Sequence, residues 1–200
     1  MPKLSPKLMK EAIEEFKAKF TPGFYHGSAS PNIKAFDPSK SSKDFPIEGV
    51  TFVSPNPDFA NSFAPIAKGG DFTGSGMPDI YKKGATVYPL SVNLGKHFDP
   101  NTPEGSEAVR QFLLDKYKKE AGTDYFETAI NQKHEHMMDK LTDPLNTWKT
   151  LESPELLNYL RASGHDTFKV MEGGIPNVGV FAPHNIRGKF AEYNPEEALN

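Results

Sequence analysis

Two runs near the end of the chain decide the fold class: residues 167–172 (TFKVME) and residues 178–181 (VGVF), with Gly173-Gly174 between them. Both runs are rich in β-branched and aromatic residues, and a glycine pair is a strong turn signal. They predict two strands joined by a turn.

Similar runs stand in the first half of the chain, at residues 24–28 (FYHGS), 49–54 (GVTFVS) and 86–94 (TVYPLSVNL). They predict three more strands. Because Pro89 cannot donate a backbone hydrogen bond, the last of these strands is predicted to lie at a sheet edge or to contain a bulge.

Helical spacing of apolar residues predicts helices elsewhere, and cap and turn residues mark their ends. Ser5-Pro6 starts an N-terminal helix within residues 1–22, and Thr21-Pro22-Gly23 ends it. The other predicted helices begin at a cap on Asp58, run from Ser106 to Gly122, span residues 125–141, and run from Ser153-Pro154 to Gly164. Strands at both ends of the chain with helices between them predict the α+β class.

Length and composition predict one domain over residues 1–200, within which residues 105–145 form a helical insertion. The chain contains 16 glycines and 18 prolines, so it is rich in turns. Residues 32–46 are predicted to form a loop, and residues 65–84, with five glycines and two prolines, a mobile surface loop.

The charge balance and composition argue against several classes of partner. With a net charge of −3, the chain lacks the excess of lysine and arginine that is typical of nucleic-acid-binding proteins. No apolar run is long enough to span a membrane. The lysines near Met1 are not followed by an apolar core, so a signal peptide is not predicted and a cytoplasmic location is expected. With no cysteine, the chain has no disulfide, thiolate metal site or cysteine nucleophile.

His26 is the first candidate for chemistry. It follows two aromatic residues and directly precedes Gly27-Ser28. Because Gly27 has no side chain and that of Ser28 is small, a ligand can approach their main-chain groups closely. A lone histidine beside aromatic residues is, however, more often a packed or surface residue than a catalyst. Both interpretations stay open at this point.

Phe63 is ambiguous in the same way. It follows Ala60 at helical spacing, for which core packing is the ordinary explanation. The alternative is a flat wall on which a planar heterocycle stacks.

Together these motifs resemble the ADP-ribosyltransferase fold, in the His–Tyr–Glu branch that includes diphtheria toxin and the poly(ADP-ribose) polymerases. The motifs are residues 25–28 (YHGS), residues 49–52 (GVTF) followed by Pro57, Ala60 and Phe63, and residues 88–92 (YPLSV) through 98–100 (FDP). Residues 160–187 are the most specific part, and they are similar to the closing strands of small ADP-ribosyltransferase domains in phage and mobile-element polyproteins. The resemblance covers roughly residues 24–100 and 150–190.

The resemblance implies a split two-sheet core with NAD, bound as a substrate and without a metal, in the cleft between the sheets. In that arrangement His26 hydrogen-bonds the nicotinamide-side ribose, and the Gly27 backbone holds the carboxamide. Phe63 stacks on the nicotinamide ring, and Thr51 or Phe52 lines the opposite wall. The cofactor-binding set implied by the resemblance is Tyr25, His26, Gly27, Ser28, Thr51, Phe52 and Phe63.

The sequence departs from the family at the catalytic glutamate, whose position falls on Asn177 when counted back from Pro183 and Ile186. An asparagine orients a hydroxyl group but supplies no charge and cannot act as a base. Glu172, five residues upstream, supplies the charge if the Gly173-Gly174 turn folds it into the cleft, and is otherwise a solvated turn residue. The candidate catalytic residues are therefore His26, Glu172 and Asn177.

Two further clusters are predicted to be solvated helix faces. His134-Glu135-His136 with Asp139 suggests metal ligands, but histidines two positions apart on a helix do not share a face. Residues 116–119 (KYKK) form either a solvated face or a basic anchor for an acidic partner. No metal site is predicted.

Three functions remain open from the sequence. The first is a mono-ADP-ribosyltransferase that moves ADP-ribose from NAD to a macromolecular acceptor, with protein as the expected class, as a phage effector or toxin delivered into a host cell would. The second is a non-catalytic module of the same fold that binds an NAD-like ligand or a protein. The third is an interaction domain of a virion or secretion system, with residues 105–145 as its working surface.

Overall fold

Strands lie toward both ends of the chain and a run of four helices lies between them, which confirms the α+β class. The structure is a computed structural model that describes residues 6–28, 30, 33, 36, 49–63, 86–117, 126–145, 147–151 and 153–189. Its helices are α1 (Pro6–Ala18), α2 (Pro57–Phe63), α3 (Pro103–Tyr117), α4 (Phe126–Leu141), α5 (Trp148–Leu151) and α6 (Pro154–Ala162). Its strands are β1 (Thr21–Ser28), β2 (Thr51–Val53), β3 (Thr86–Val92), β4 (His97–Phe98), β5 (Thr167–Glu172), β6 (Ile175–Val180) and β7 (Ile186–Gly188), with a 3₁₀ turn at Pro183–Asn185.

The described strands form two sheets. The first sheet has the order β1-β3-β7, and the second has the order β2-β6-β5-β4. Neighbouring strands are antiparallel except β4 and β5, which are parallel. The predicted Gly173-Gly174 turn joins β5 to β6, and both glycines have the positive φ that such a turn requires.

One face of the second sheet is covered by helices. Phe168 and Val170 of β5 share a buried cluster with residues of α3, α4, α5 and α6, among them Val109, Phe112, Ile130, Leu141, Leu151, Leu156 and Leu160. Burial of aliphatic and aromatic side chains at this density is the main stabilising contribution to a fold of this size. The helices predicted as an insertion over residues 105–145 therefore supply much of this core.

The other face of the second sheet packs against the first sheet. This second buried cluster joins Val53, Val178 and Val180 to side chains of β3 and β7, namely Leu90, Val92 and Ile186. Because side chains alternate along a strand, Phe52 of β2 packs against the first cluster while its neighbour Val53 belongs to the second.

Several predicted boundaries are wrong by a few residues. Thr21-Pro22-Gly23, predicted to end the first helix, lies at the start of β1, with a register shift between Pro22 and Phe24. Asn56, rather than Asp58, caps α2, because its Oδ1 accepts the N–H groups of Asp58 (2.9 Å) and Phe59 (3.1 Å).

The third helix also begins earlier than predicted. It starts at Pro103 rather than at Ser106, and the Oγ1 of Thr102 accepts the N–H of Gly105 at 3.0 Å. A threonine hydroxyl satisfies the open donors of a first helical turn as well as serine does, so the sequence offers two plausible caps.

The strand containing Pro89 lies in the middle of the first sheet, not at an edge as predicted, and the irregularity falls in β1 instead. The carbonyl of Pro89 accepts the N–H of Lys189 (3.0 Å), which lies just beyond the end of β7. The main-chain atoms of Pro89 thus face β7 at the level where β7 ends. Because no β7 carbonyl pairs at this level, the missing N–H of Pro89 costs the sheet no backbone hydrogen bond.

The predicted loop 65–84 and most of the predicted loop 32–46 lie outside the described residues, as do Lys118, Lys119 and Gly122. In the part of the chain that is described, no helix is both long and apolar enough to cross a membrane. Within the same residues there is no cluster of three or more side chains suited to hold a metal ion.

Candidate functional site

The two sheets meet along β1 and β2 at a single pair of residues. The N–H of Tyr25 donates to the Ser54 carbonyl at 2.8 Å, and the N–H of Ser54 donates to the Tyr25 carbonyl at 2.9 Å. Beyond this bridge β1 continues along β3 while β2 continues along β6. Among the described residues no further backbone pair joins β1 to β2, so the two strands separate after the bridge, and the split between them is the candidate site.

Gly27 lies on one wall of the split and presents its main chain there. Along a strand, successive residues direct their N–H and C=O groups to opposite sides. The groups of Tyr25 point toward β2, so those of His26 point toward β3 and those of Gly27 point toward β2 again. The main chain of Phe52, at the same level on β2, faces the split as well, and its carbonyl oxygen is bonded to the His26 ring rather than to Gly27.

The ring of His26 spans the split. Its Nδ1 lies 2.8 Å from the carbonyl oxygen of Phe52. Because a carbonyl only accepts, Nδ1 carries the proton and Nε2 carries a lone pair. Burial lowers the pKa of His26 more strongly than the Phe52 hydrogen bond raises it. The neutral imidazole is thus held as an acceptor at Nε2.

Aromatic side chains fix the His26 ring from the first sheet. The ring of Phe36 meets the His26 ring edge-on at 5.2 Å and the Tyr88 ring at 5.9 Å. The Tyr88 hydroxyl donates to the Ser30 carbonyl (2.8 Å) and accepts the N–H of Ile33 (3.0 Å). Tyr88 therefore ties the chain after β1 to the same aromatic cluster.

Ser28 and Thr51 lie at the open end of the split. Ser28 pairs with Thr86 on β3, and its Oγ accepts the N–H of Ser30 at 3.1 Å. Thr51 pairs with Val180 and is buried, with its side chain on the face that packs between the sheets. Thr51 is therefore a wall residue through its backbone, whereas Phe52 directs its side chain to the opposite, helix-covered face.

Phe52 belongs to an aromatic row on that helix-covered face. Its ring meets the Phe168 ring at 5.9 Å, and the Phe168 ring meets the Phe181 ring at 5.1 Å. Gly179, which pairs with both Phe52 and Phe168, leaves the space that the Phe168 ring occupies. Phe52 therefore lies level with Gly27 through its backbone, while its ring packs on the helix-covered face.

Phe63 lies at the end of α2, the helix that packs on β1. Its ring is half-buried and contacts the Phe59 ring at 5.2 Å, and it belongs to neither of the two buried clusters.

Asn177 lies one strand away from the split. Val178 of β6 pairs with Val53 of β2, so Asn177, the residue before Val178, lies level with Ser54. Asn177 faces the same side of the sheet as Phe52 and Gly179. Its side chain is only 3% exposed, and its Oδ1 has no hydrogen-bond partner among the residues that the structure describes. A buried acceptor without a partner is unusual in a folded protein and needs an explanation.

Glu172 does not lie beside His26. It ends β5 at the hairpin turn, where it pairs with Ile175. Three strand spacings of about 4.8 Å and three residue rises of about 3.3 Å separate its Cα from that of His26, which amounts to roughly 17 Å. Of the two candidate positions, the structure brings Asn177 toward the split and leaves Glu172 at the far end of the sheet.

The histidine cluster on α4 is a structural contact rather than only a solvated face. Nε2 of His134 lies 3.0 Å from the Ser106 carbonyl and 3.2 Å from its Oγ, which joins α4 to α3. His136 and Asp139 are exposed on the remaining surface of the helix. The sequence could not indicate this contact, because it depends on how two helices pack.

The basic run on α3 is engaged at two described positions. Lys116 forms an ion pair with Glu155 of α6. The ring of Tyr117 is covered by the Nζ of Lys133 at 4.5 Å. Exposed contacts of this kind contribute little free energy, so the solvated-face interpretation is retained for this part of the run.

No family model matches the chain, and no curated protein or solved structure matches it either. The resemblance to the ADP-ribosyltransferase fold therefore stays a prediction.

Proposed function

We propose that the split between β1 and β2 binds NAD and that the chain transfers ADP-ribose from NAD to a macromolecular acceptor, with protein as the expected class. The observation that carries the proposal is the divergence of the two strands immediately after the Tyr25–Ser54 bridge, which turns the main chain of Gly27 toward an open split. An N–H and a C=O from one residue match the acceptor and donor of a carboxamide.

Side chains near Gly27 are suited to contact the ribose and the nicotinamide ring of NAD. Nε2 of His26 accepts a hydrogen bond from a ribose hydroxyl while Nδ1 stays bonded to Phe52. Phe63 ends α2, the helix that packs on β1, and we propose it as the ring that stacks on the nicotinamide. Stacking on a planar heterocycle contributes about 0.5–1.5 kcal/mol beyond area burial. Each of these residues acts by positioning the sugar and the ring.

Transfer breaks the bond between C1′ of the ribose and the nicotinamide nitrogen. The bonding electron pair goes to the ring nitrogen, which starts out cationic, and the nucleophile of the acceptor bonds to C1′ and loses its proton to solvent. The sugar develops oxocarbenium character, which a nearby negative charge stabilises most. Asn177 offers only the dipole of its Oδ1 at this position, so we expect slow transfer.

An assay with labelled NAD tests the proposal through residue 177. Nicotinamide release and label transfer should be measurable in the wild type, fall about tenfold or more in Asn177→Ala, and rise in Asn177→Glu because the variant adds a charge beside the sugar. His26→Ala should abolish transfer. Glu172→Gln is the matched control at the far end of β5 and should leave the rate unchanged.

Two outcomes would contradict the transferase proposal. One is an equal loss in Glu172→Gln and Asn177→Ala, which would place the charge at the hairpin. The other is the absence of nicotinamide release in both the wild type and Asn177→Glu.

A non-catalytic NAD-like-ligand module is the second candidate. The observation that favours it is the amide at position 177, together with the remoteness of Glu172. This function predicts that NAD raises the melting temperature while neither the wild type nor Asn177→Glu releases nicotinamide.

A further inference from the structure

Tyr88 is placed to act on the His26 ring from the neighbouring strand. The two residues are direct partners in the pairing of β1 with β3, so their side chains leave the sheet on the same face. The ring of Phe36 meets both of them edge-on, with its centroid 5.2 Å from that of His26 and 5.9 Å from that of Tyr88. Phe36 therefore links the imidazole to the phenol ring.

The hydroxyl of Tyr88 uses both its donor and its acceptor. It donates to the carbonyl of Ser30 at 2.8 Å and accepts the N–H of Ile33 at 3.0 Å. Both partners are main-chain groups that lie between β1 and Phe36 in the sequence. Because the two bonds have opposite sense, they fix the direction of the hydroxyl, and the hydroxyl holds the main chain at Ser30 and Ile33.

The bond between His26 and Phe52 depends on how the imidazole is oriented. Nδ1 lies 2.8 Å from the Phe52 carbonyl oxygen, and a hydrogen bond of this kind weakens steeply when its angle departs from linear. Phe36 packs against the imidazole and limits its rotation about the side-chain bonds. The proton stays on Nδ1, and Nε2 stays an acceptor, while this orientation is kept.

We propose that Tyr88 is a positioning residue that keeps Nε2 of His26 as the acceptor for the ribose of the substrate. Its hydroxyl holds Phe36 in place, and Phe36 holds the imidazole against the Phe52 carbonyl. The inference rests on the proposed function in what it says of the ribose. The effect of Tyr88 on the His26 ring does not depend on a ligand, so the two can be tested separately.

Nitrogen NMR of the imidazole tests the positioning role without a ligand. At a pH of about 8 a histidine is neutral, and the chemical shifts of Nδ1 and Nε2 report which nitrogen carries the proton. Wild-type His26 should show a protonated Nδ1 and an unprotonated Nε2. Tyr88→Phe keeps the ring but removes both hydroxyl bonds, so the two shifts should move toward each other as both tautomers become populated.

A second variant tests whether Tyr88 acts through Phe36. Phe36→Leu removes the linking ring and should mix the tautomers at least as much as Tyr88→Phe does. Tyr88→Phe should then add little in the Phe36→Leu background, because changes along one chain of contacts are not additive. Tyr159→Phe is the matched control. It removes the hydroxyl of a half-buried tyrosine whose ring contacts Phe112 near the helix-covered face, and it should leave the His26 signals unchanged.

Calorimetric titration with NAD connects the ring orientation to the substrate. Tyr88→Phe should raise the Kd for NAD about three- to tenfold, which is the range for one weakened neutral hydrogen bond. Tyr159→Phe should leave the Kd at its wild-type value.

The failure of this inference differs from the failure of the proposed function. Unchanged His26 nitrogen shifts in Tyr88→Phe overturn it, and so does an effect of Tyr88→Phe that is equally large with and without the Phe36 ring. NAD binding by the wild type would stand in both cases. A wild type that binds no NAD, with His26 shifts that respond to Tyr88→Phe, contradicts the proposed function and the ribose contact of Nε2 instead.

Discussion

At the scale of single residues, His26 combines three constraints that are rarely found together. Its Nδ1 is bonded to the Phe52 carbonyl, an aromatic ring meets it edge-on, and it stands where two sheets separate. The bond crosses from β1 to β2, so the imidazole links the walls of the split. The same bond leaves Nε2 as an acceptor, which is the form that the proposed ribose contact needs.

The lowered pKa of His26 predicts how stability changes with pH. Between the ordinary value of 6.5 and its lower value in the fold, the unfolded chain binds more protons at this group than the folded chain does. The free energy of unfolding should therefore fall as the pH is lowered from about 6.5 through the folded pKa. Urea unfolding of the wild type and His26→Gln at several pH values measures this, and the variant should show the shallower dependence.

The other histidines set how much of the pH dependence should remain. Burial also lowers the pKa of His97 and His165, so His26→Gln should keep part of the pH dependence. Equal slopes in His26→Gln and the wild type would show that the His26 ring is not held neutral.

At the scale of elements, the second sheet depends on a glycine between two aromatic residues. Gly179 of β6 pairs with Phe52 on one side and Phe168 on the other. A Cβ at this position would lie 2.2 Å from Cζ of Phe168, closer than any real contact. The ring therefore lies across the strand where a side chain would be, and the row Phe52–Phe168–Phe181 depends on that gap.

Gly179→Ala should lower the free energy of unfolding by about 1–3 kcal/mol, the usual range for overpacking a buried site. Urea unfolding followed by circular dichroism measures the change. In a Phe168→Leu background the same substitution should destabilise less, because the ring that clashes is gone. The same loss in both backgrounds would mean that the strain comes from the backbone and not from Phe168.

The long elements were predictable from the sequence, and the short ones were not. The periodicity of α1 and α4 and the Gly173-Gly174 turn between β5 and β6 were visible because each is a local pattern. Strands β4 and β7, with two and three residues, are defined by their partners instead. Strand β3 likewise lies in the middle of its sheet because β7 pairs with its second side, and no local pattern in the sequence of β3 shows that pairing.

At the scale of the whole molecule, two polar contacts join the sheets in addition to the His26–Phe52 bond. One is the Tyr25–Ser54 bridge. The other is a polar network in which the Asn93 amide donates to Asn185 Oδ1 at 3.1 Å and the Asn185 amide reaches Asp166 Oδ1 at 3.4 Å. Asn185 is only 2% exposed, so these bonds are made in the interior. These attachments hold the sheets in a fixed relation while the split stays open between β1 and β2.

The candidate site was only partly predictable, because register decides which residues meet. The YHGS and GVTF motifs mark the two strands that form the split. The choice between Glu172 and Asn177 required the pairing of β5, β6 and β2, which sets one at the hairpin and the other beside the split. Tyr88 reaches the site from a distant part of the chain, and no spacing indicates it.

The most direct test of the central claim is an NMR titration that follows the backbone amides of the chain as NAD is added. The account predicts that the Gly27 amide shifts most, together with those of Ser28 and Phe52, and that the shifts at Gly27 disappear in His26→Ala. A Gly27 amide that does not move at saturating NAD, with shifts confined to other parts of the molecule, would contradict the assignment of the split as the nicotinamide site.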